Sequence, residues 1–453
     1  MKTLLNCVGP QPFARLFATL LLLMATGHKV VAADDILTVT ITQGVESALP
    51  MAVTEFVAPT GDATGKQIAR TLREVIVGDL DRSGRLRVVR KSTYPQQPAD
   101  FLGVDFPAWQ GTDAQSLLIG RLTPSSGGSY NVEFRLVDIY GASQELGFRV
   151  PTSGQAARMT GHQIADIVYE RLTGEPGVFA TRIAYVAVER ASDGGRLYRL
   201  NVADSDGADP QTLMESSEPV LSPAWSPDGR KIAYTSLEGS RATLFLQDIR
   251  SGQRTAVSSG EGMHSAPAFS PDGSQIALTI SRDGNPDIYV FTLASGQIKR
   301  ITTNPAIDTE AAFSPDGRTL AFTSDRGGAP QIYTVDLQAP SPRRLTFEMG
   351  PYNARPRYSP DGASMAVVTQ GLNGKGFRIA MIDLQRDFMN VLSDGPLDES
   401  PTIAANGQLI MYSTRAANGS ELAVVSSDGR VKQRLRLSAG DVREPAWGPL
   451  PAR

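Results

Sequence analysis

Between residues 183 and 449 one hydrophobic pattern recurs. Short apolar runs stand at 183–186, 232–235, 276–279, 320–323, 365–368 and 410–413, the last five each following a turn-forming corner and the first having none before it. Runs of this length with such punctuation read as buried β-strands. A second run follows in each unit, as in Asp287-Ile288-Tyr289-Val290 and Gln331-Ile332-Tyr333-Thr334, and then a short Arg-Ile-Thr or Arg-Leu-Thr stretch at 300–302 or 344–346. Four units open on Ser-Pro-Asp-Gly, beginning at Ser226, Ser270, Ser314 and Ser359, with spacings of 44, 44 and 45 residues. Ala404-Ala405-Asn406-Gly407 continues the period after 45 residues, and Gly448-Pro449 after another 44. Pro presets the second position of a type I turn and Gly suits its exit, so the tetrapeptide reads as a hairpin corner and not as a catalytic motif. Four strands per unit predict the blades of a β-propeller, six of them over 178–453. The opening unit lacks its first strand, and Pro445-Ala446-Trp447-Gly448-Pro449 is a spare strand at the far end. The spare strand is expected to complete the first blade and close the ring.

Residues 34–175 lack this period. Ile68, Leu72, Ile76 and Leu80, four apart, draw the apolar stripe of a helix. Strands are predicted at 36–41, 86–89, 116–122, 130–139 and 145–150, and a closing helix at 155–172. Thr173-Gly174-Glu175-Pro176-Gly177 marks a boundary, because Gly and Pro stop the helix. The expected fold class is an α/β N-terminal domain over 34–175 followed by an all-β six-bladed propeller over 178–453.

The first 33 residues read as a cleaved secretory signal, with Lys2 and Arg15, an apolar stretch at 16–24 and Val31-Ala32-Ala33 before Asp34. They hold three of the 44 basic residues and none of the 47 acidic ones, so their removal takes the net charge from -3 to -6. That balance gives no support to nucleic-acid binding or to anionic lipid, and no segment is long enough to insert into a membrane. The one cysteine, Cys7, lies in the signal, which excludes disulfides, thiolate metal sites and a cysteine nucleophile from the remainder.

Catalytic chemistry finds little to use. A propeller-based hydrolase needs a G-x-S-x-G elbow, and Gly127-Gly128-Ser129-Tyr130-Asn131 and Gly141-Ala142-Ser143-Gln144-Glu145 both lack the final Gly. His162 and His264 are the histidines beyond the signal, and His162 is expected at a helix surface or cap. Asp204-Ser205-Asp206-Gly207-Ala208-Asp209 spaces carboxylates like a calcium loop but lacks the distal Glu, so a hairpin turn is expected there, with no metal or other cofactor. A glycan-processing enzyme with acids on a propeller face stays open as the alternative.

Repeat symmetry points to a binding surface. One residue before Pro223 and its equivalents stand Ser222, Ala266, Glu310, Arg355, Ser400 and Glu444. Two before stand Leu221, Ser265, Thr309, Ala354, Glu399 and Arg443, and three before Val220, His264, Asp308, Asn353, Asp398 and Val442. These positions are expected in loops that converge on one mouth of the central channel. At the other end of the chain, Leu37, Val39 and Ile41 alternate with Thr38, Thr40 and Thr42, as in a strand with one apolar side. Such a strand either packs on its own protein or adds to a partner's sheet.

The signal, the small α/β domain, Thr181-Arg182-Ile183-Ala184-Tyr185-Val186 and the blades with Pro-Ala-Phe-Ser-Pro-Asp-Gly together resemble the TolB family of the Tol-Pal system, over essentially the whole chain after the signal. The resemblance implies a periplasmic, non-enzymatic adaptor, a monomer within a larger complex, that helps keep the outer membrane attached and drawn in at cell division. It implies that the propeller binds the lipoprotein Pal, with Thr309-Glu310 matching the family's Thr-Glu pair and His264 one position later than the family's histidine. The expected Pal-binding set is His264, Asp308, Thr309, Glu310, Asn353, Arg355, Asp398, Glu399, Arg443 and Glu444. The resemblance also implies that TolA binds the N-terminal segment, through Asp35, Ile36, Leu37, Thr38, Val39, Thr40, Ile41 and Thr42.

Overall fold

The computed structural model describes residues 38–43, 48–282, 284–370, 376–417, 419–437 and 440–451. Residues 1–33, expected from the sequence as a signal, and Asp35, Ile36 and Leu37 lie outside them. The chain opens with strand β1 (Thr38–Gln43), followed by β2 (Leu49–Val53), α1 (Ala63–Arg82) and β3 (Leu86–Val88). Then come α2 (Phe106–Gln110), β4 (Ser116–Pro124), β5 (Tyr130–Asp138), β6 (Ser143–Thr152) and α3 (Ala157–Thr173). Strands β2 to β6 form one sheet in the order β3-β2-β4-β5-β6, with β2 parallel to both neighbours and the remaining pairs antiparallel.

Alternation along the strands splits the domain's apolar residues into two layers. Met51, Val53, Leu118, Val132 and Phe134 meet Ile68, Leu72 and Ile76 of α1 and Ile164 and Val168 of α3. Ala52, Leu117, Ile119 and Val137 meet Trp109 of α2 on the other face. The 68/72/76/80 stripe is thus the buried face of α1, all four residues being at most 2% exposed. Asp62 caps α1 by accepting from the Gly65 amide at 2.9 Å, and the Tyr130 hydroxyl donates to the same carboxylate at 2.8 Å. Strand β2, inside the sheet between β3 and β4, has no counterpart among the strands expected from the sequence. Its five residues include Pro50 and are too few to display a period.

Six four-stranded blades follow. Blade 1 contains Arg182–Arg190, Arg196–Asp204 and Gln211–Ser216, and its innermost strand is Val442–Trp447 from the far end of the chain. Val442 pairs with Ala187 and Trp447 with Ile183, which closes the ring. The innermost strands of blades 2 to 6 are Val220–Trp225, His264–Phe269, Asp308–Phe313, Asn353–Tyr358 and Asp398–Ile403. The Ser-Pro-Asp-Gly corner joins each of the first four to the next strand. In blade 2 the Ser226 hydroxyl donates to Asp228 at 2.6 Å and accepts from the Lys231 amide at 2.9 Å, while Gly229 takes a φ of +68°. The corners also touch one another around the ring. A Cβ at Gly273 would lie 3.5 Å from Pro227, at Gly317 3.7 Å from Pro271, at Gly362 3.6 Å from Pro315, at Gly407 3.4 Å from Pro360 and at Gly229 3.3 Å from Pro449.

The two parts meet at a buried ionic cluster. His162 is fully buried, with Nδ1 2.6 Å from Asp79 of α1 and Nε2 3.5 Å from Asp204 of blade 1. Arg158 reaches Asp204 at 3.1 Å and Asp206 at 2.7 Å, and Arg82 donates to Ser205 at 2.6 Å. His162 is therefore neither a surface nor a capping residue. The sequence reading failed there because the partners come from α1 and a propeller hairpin, 83 and 42 residues away. His162, Asp204 and Asp206 could together hold a metal ion by distance alone, but the Arg158 guanidinium already occupies both carboxylates. On the other side of the contact, the Gln433 amide of blade 6 donates to the Arg82 carbonyl.

Candidate functional site: the channel mouth and the blade 6 edge

Every innermost strand carries the same irregularity. In blade 2 the pairing steps from Leu221 with Thr235 to Ala224 with Ala233, so three residues on one strand span two on the other. The same bulge recurs in the other five blades. At its centre the backbone turns left-handed, with φ of +52° at Ser222, +50° at Ala266, +58° at Glu310, +56° at Arg355, +55° at Ser400 and +51° at Glu444. For residues with a side chain that conformation costs roughly 1–2 kcal/mol each, so the surrounding blade must hold it. A proline follows in five of the six, at a point where the ladder is interrupted and a missing N–H is tolerated. The bulge turns these six side chains onto the channel, where they line a cavity of about 180 Å³.

Three of the six are charged. Arg355 Nε lies 2.7 Å from Glu310, and its Nη1 lies 3.8 Å from Glu444 and bonds the Ser400 hydroxyl. The Ser222 amide donates to Glu444 at 2.9 Å. Burial alone would lower Arg355, but Glu310, Glu444 and Glu399 override it and hold the guanidinium charged far above its ordinary range. One cation thus bridges carboxylates from blades 4 and 1 across the opening.

The expected site residues divide by position. Those three before the proline do not reach the channel. His264 is 3% exposed and Asp308, Asn353 and Asp398 are fully buried. His264 Nδ1 pairs with the Ser258 hydroxyl at 2.7 Å, and Asp308 takes two bonds from Arg326 at 2.7 and 2.9 Å. Asn353 donates to Gln331 at 3.0 Å, and Asp398 accepts from Ser393 at 2.5 Å and Thr414 at 2.6 Å. They fasten each blade's first strand to its neighbours. All these positions lie inside strands and not in entering loops, because each innermost strand begins three residues ahead of the proline position. Glu310, Arg355 and Glu444 face the opening. Thr309 and Glu399 are half-buried beside them, and Arg443 is exposed and paired with Asp441 at 2.6 Å.

The sequence reading missed three exposed apolar residues on the segments that enter the innermost strands. One residue ahead of the innermost strands of blades 3 and 4 stand Met263 and Ile307, 40% and 49% exposed, and Phe347, 56% exposed, lies in the segment that leads to the innermost strand of blade 5. The same column arithmetic, taken one place further, would have found the first two. It also missed Arg357 and the indoles of Trp225 and Trp447, which line the channel below the mouth.

The N-terminal segment has a definite place. Strand β1 lies antiparallel on the outermost strand of blade 6, Lys432–Arg436, with Thr38 opposite Arg436, Val39 opposite Leu435, Thr40 opposite Arg434 and Ile41 opposite Gln433. It makes that blade five-stranded. Among the described residues no helix is long and apolar enough to cross a membrane.

Comparison with known proteins agrees with this architecture part by part. The family model described as the TolB amino-terminal domain matches residues 37–145, and that of the TolB beta propeller domain matches 169–451. The Tol-Pal system protein TolB of Methylobacillus flagellatus is 53% identical over 427 residues, 94% of this chain and 95% of that one. Its namesake from Xanthomonas campestris pv. campestris is 51% identical over 415 residues, 91% of this chain and 93% of that one. The crystal structure of TolB from Acinetobacter baumannii superposes with a TM-score of 0.83 at 38% identity, covering 91% of this chain and 100% of that chain. An α/β region followed by a closed six-bladed propeller, matched along nearly its full length, places the chain in the TolB family of Tol-Pal system proteins.

Proposed function

We propose that the protein is a periplasmic adaptor without catalytic activity, a monomer that holds Pal at the channel mouth and TolA through its N-terminal segment, and so supports outer-membrane integrity and constriction at division. The observation that carries this reading is the mouth itself. A partly buried Glu310–Arg355–Glu444 bridge lines the mouth, and the exposed Met263, Ile307 and Phe347 stand on segments that enter the innermost strands, the mixture of apolar anchors and recessed charge found at the energetic centre of protein interfaces. Thr309, Glu399 and Arg443 extend that surface, while His264, Asp308, Asn353 and Asp398 act from beneath it by fixing the strands. Both carboxylates share the Arg355 charge, an arrangement suited to docking and unlike the separated acid and base of a glycosidase.

The β1 edge supports the second contact. A strand held by main-chain bonds to Lys432–Arg436 can exchange that edge for a partner's, and a partner at the mouth biases the exchange only if it distinguishes the docked from the released state. Titration calorimetry tests both halves. Replacing Glu310 and Arg355 together with Ala should weaken Pal by about 2 kcal/mol, a loss of roughly thirtyfold. Wild-type affinity in that variant would move the Pal site elsewhere. Deleting residues 34–44 should abolish TolA binding and spare Pal, and undiminished TolA binding would end that half of the reading.

A further inference from the structure

Below the mouth the channel holds a second cation in a different situation. Arg357 follows Arg355 by two residues on the innermost strand of blade 5, and both line the same cavity. Arg355 is saturated by Glu310, Glu444 and Ser400. Arg357 is not. Its Nη1 donates to the carbonyl of its own neighbour, Pro356, at 2.8 Å, and among the described residues it forms no ion pair. A guanidinium carries five N–H donors in a fork that matches a carboxylate edge on. Most of that fork is therefore unspent inside a channel with room for a small ligand.

The surroundings define what would fit. At the equivalent position the other blades that line the cavity present Ala224, Ala268, Thr402 and Ala446, so Arg357 is the one long, charged side chain at that level of the lining. The Thr402 hydroxyl oxygen accepts from the Trp447 amide at 2.9 Å, which leaves its own O–H free to turn toward the channel. Trp225 and Trp447 complete the wall, each with its indole N–H committed elsewhere, to the Ala446 carbonyl at 3.0 Å and the Thr181 hydroxyl at 2.8 Å. Burial lowers the Arg357 pKa and Arg355 adds to this, while Glu310 and Glu444 act in the opposite direction without touching it.

We infer that Arg357, with Thr402, forms a binding site for a single carboxylate group inside the propeller channel, beneath the Glu310–Arg355–Glu444 bridge. Two carboxylates and two guanidinia already balance in this cavity, so one added negative charge is accommodated more readily than the double charge of phosphate. The carboxylate belongs either to a small free acid that diffuses into the channel or to a side chain or terminus inserted by a protein seated on the mouth. The chemistry at Arg357 is the same in both cases, and the free-acid case does not depend on the adaptor reading.

Tryptophan fluorescence reads the site directly, because two of the chain's three tryptophans wall it and Trp109 lies in the N-terminal domain. Acetate is titrated into the full chain without its signal at constant ionic strength, with inorganic phosphate in parallel and purified Pal as the macromolecular probe. A free acid predicts a saturable change with acetate in the millimolar range, weaker with phosphate, lost in Arg357→Gln and partly kept in Arg357→Lys. An inserted carboxylate predicts no saturation by acetate, a fluorescence change on adding Pal, and at least tenfold weaker Pal binding in Arg357→Gln. No response to either probe, or responses unchanged in Arg357→Gln, would overturn the inference. The melting temperature separates binding from structure. Removing an unpaired recessed charge should leave it equal or higher, and a marked fall in both Arg357→Gln and Arg357→Lys would show that Arg357 is structural and overturn the assignment.

Discussion

His162 shows how far a single side chain can depart from its sequence context. Burial alone would lower its pKa, but the carboxylates of Asp79, Asp204 and Asp206 override that and raise it from 6.5 to about 9. A histidine whose folded pKa is raised contributes stability in full below its unfolded value, near pH 6.5, and loses it as pH climbs through about 9. The contribution at neutral pH and below is roughly 3 kcal/mol from the size of the shift. Denaturant unfolding at pH 6.5, 8 and 10 should therefore show the wild type losing stability over that span. His162→Asn should be less stable at pH 6.5 and nearly flat above it. An alkaline loss of equal size in both proteins would assign the effect to another group. Nothing in the residues around His162 announced this, since an ion cluster shared by α1, α3 and a propeller hairpin exists only after the two parts dock. Glu310, Arg355 and Glu444 were legible because the repeat supplies its own internal comparison, and six equivalent positions reveal a column that one sequence otherwise hides.

At the scale of elements, the corners and bulges differ in how openly the sequence declares them. Ser-Pro-Asp-Gly states its conformation in its composition, with Pro for φ, Ser and Asp for the side-chain bonds and Gly for the left-handed exit. The bulges do not, because Glu, Arg, Ser and Ala have no preference for φ near +55° and adopt it only under the constraint of the paired strand. Strand β2 stayed hidden for the related reason that an interior strand is fixed by its two neighbours, here 37 and 65 residues away in register. Two glycines allow the backbone and packing contributions to be separated. Gly317→Ala at a corner meets Pro271 at an ordinary 3.7 Å, so its cost is the left-handed backbone alone, about 1–2 kcal/mol. Gly84→Ala has a similar φ of +67°, but its Cβ would fall 2.2 Å from Val431 of blade 6. It should cost clearly more, because the C-terminal end of α1 must then lift off the propeller. Urea unfolding of the two variants checks this order. Equal losses would mean that the contact between α1 and blade 6 yields without cost.

For the whole molecule the decisive feature is that the ring is closed by its two ends. Pairing of Val442–Trp447 with Arg182–Arg190 gives blade 1 its innermost strand and places Trp447 where its indole donates to Thr181 and its amide to Thr402 of blade 6. Gly229 against Pro449 completes the chain of corner contacts in the same place. The period of 44 or 45 residues made six blades legible, and the missing first strand with the surplus last one made the closure legible too. Truncation after Asp441 tests what closure is worth. It would leave Arg182–Arg190 with an unpaired inner edge, strip blade 6 of a neighbour, and remove Glu444 from the mouth. Because the channel wall is shared by all six innermost strands, the loss should not stay local. We expect the single cooperative unfolding transition of the full ring to broaden or split in the truncated protein, with a lower midpoint and faster proteolysis between blades 1 and 6. Adding back a peptide spanning 440–451 should restore part of the lost stability in a concentration-dependent way, since a strand that binds only the folded ring stabilises it by mass action. A truncated protein with an unchanged midpoint would mean that the other five blades hold the ring without its clasp.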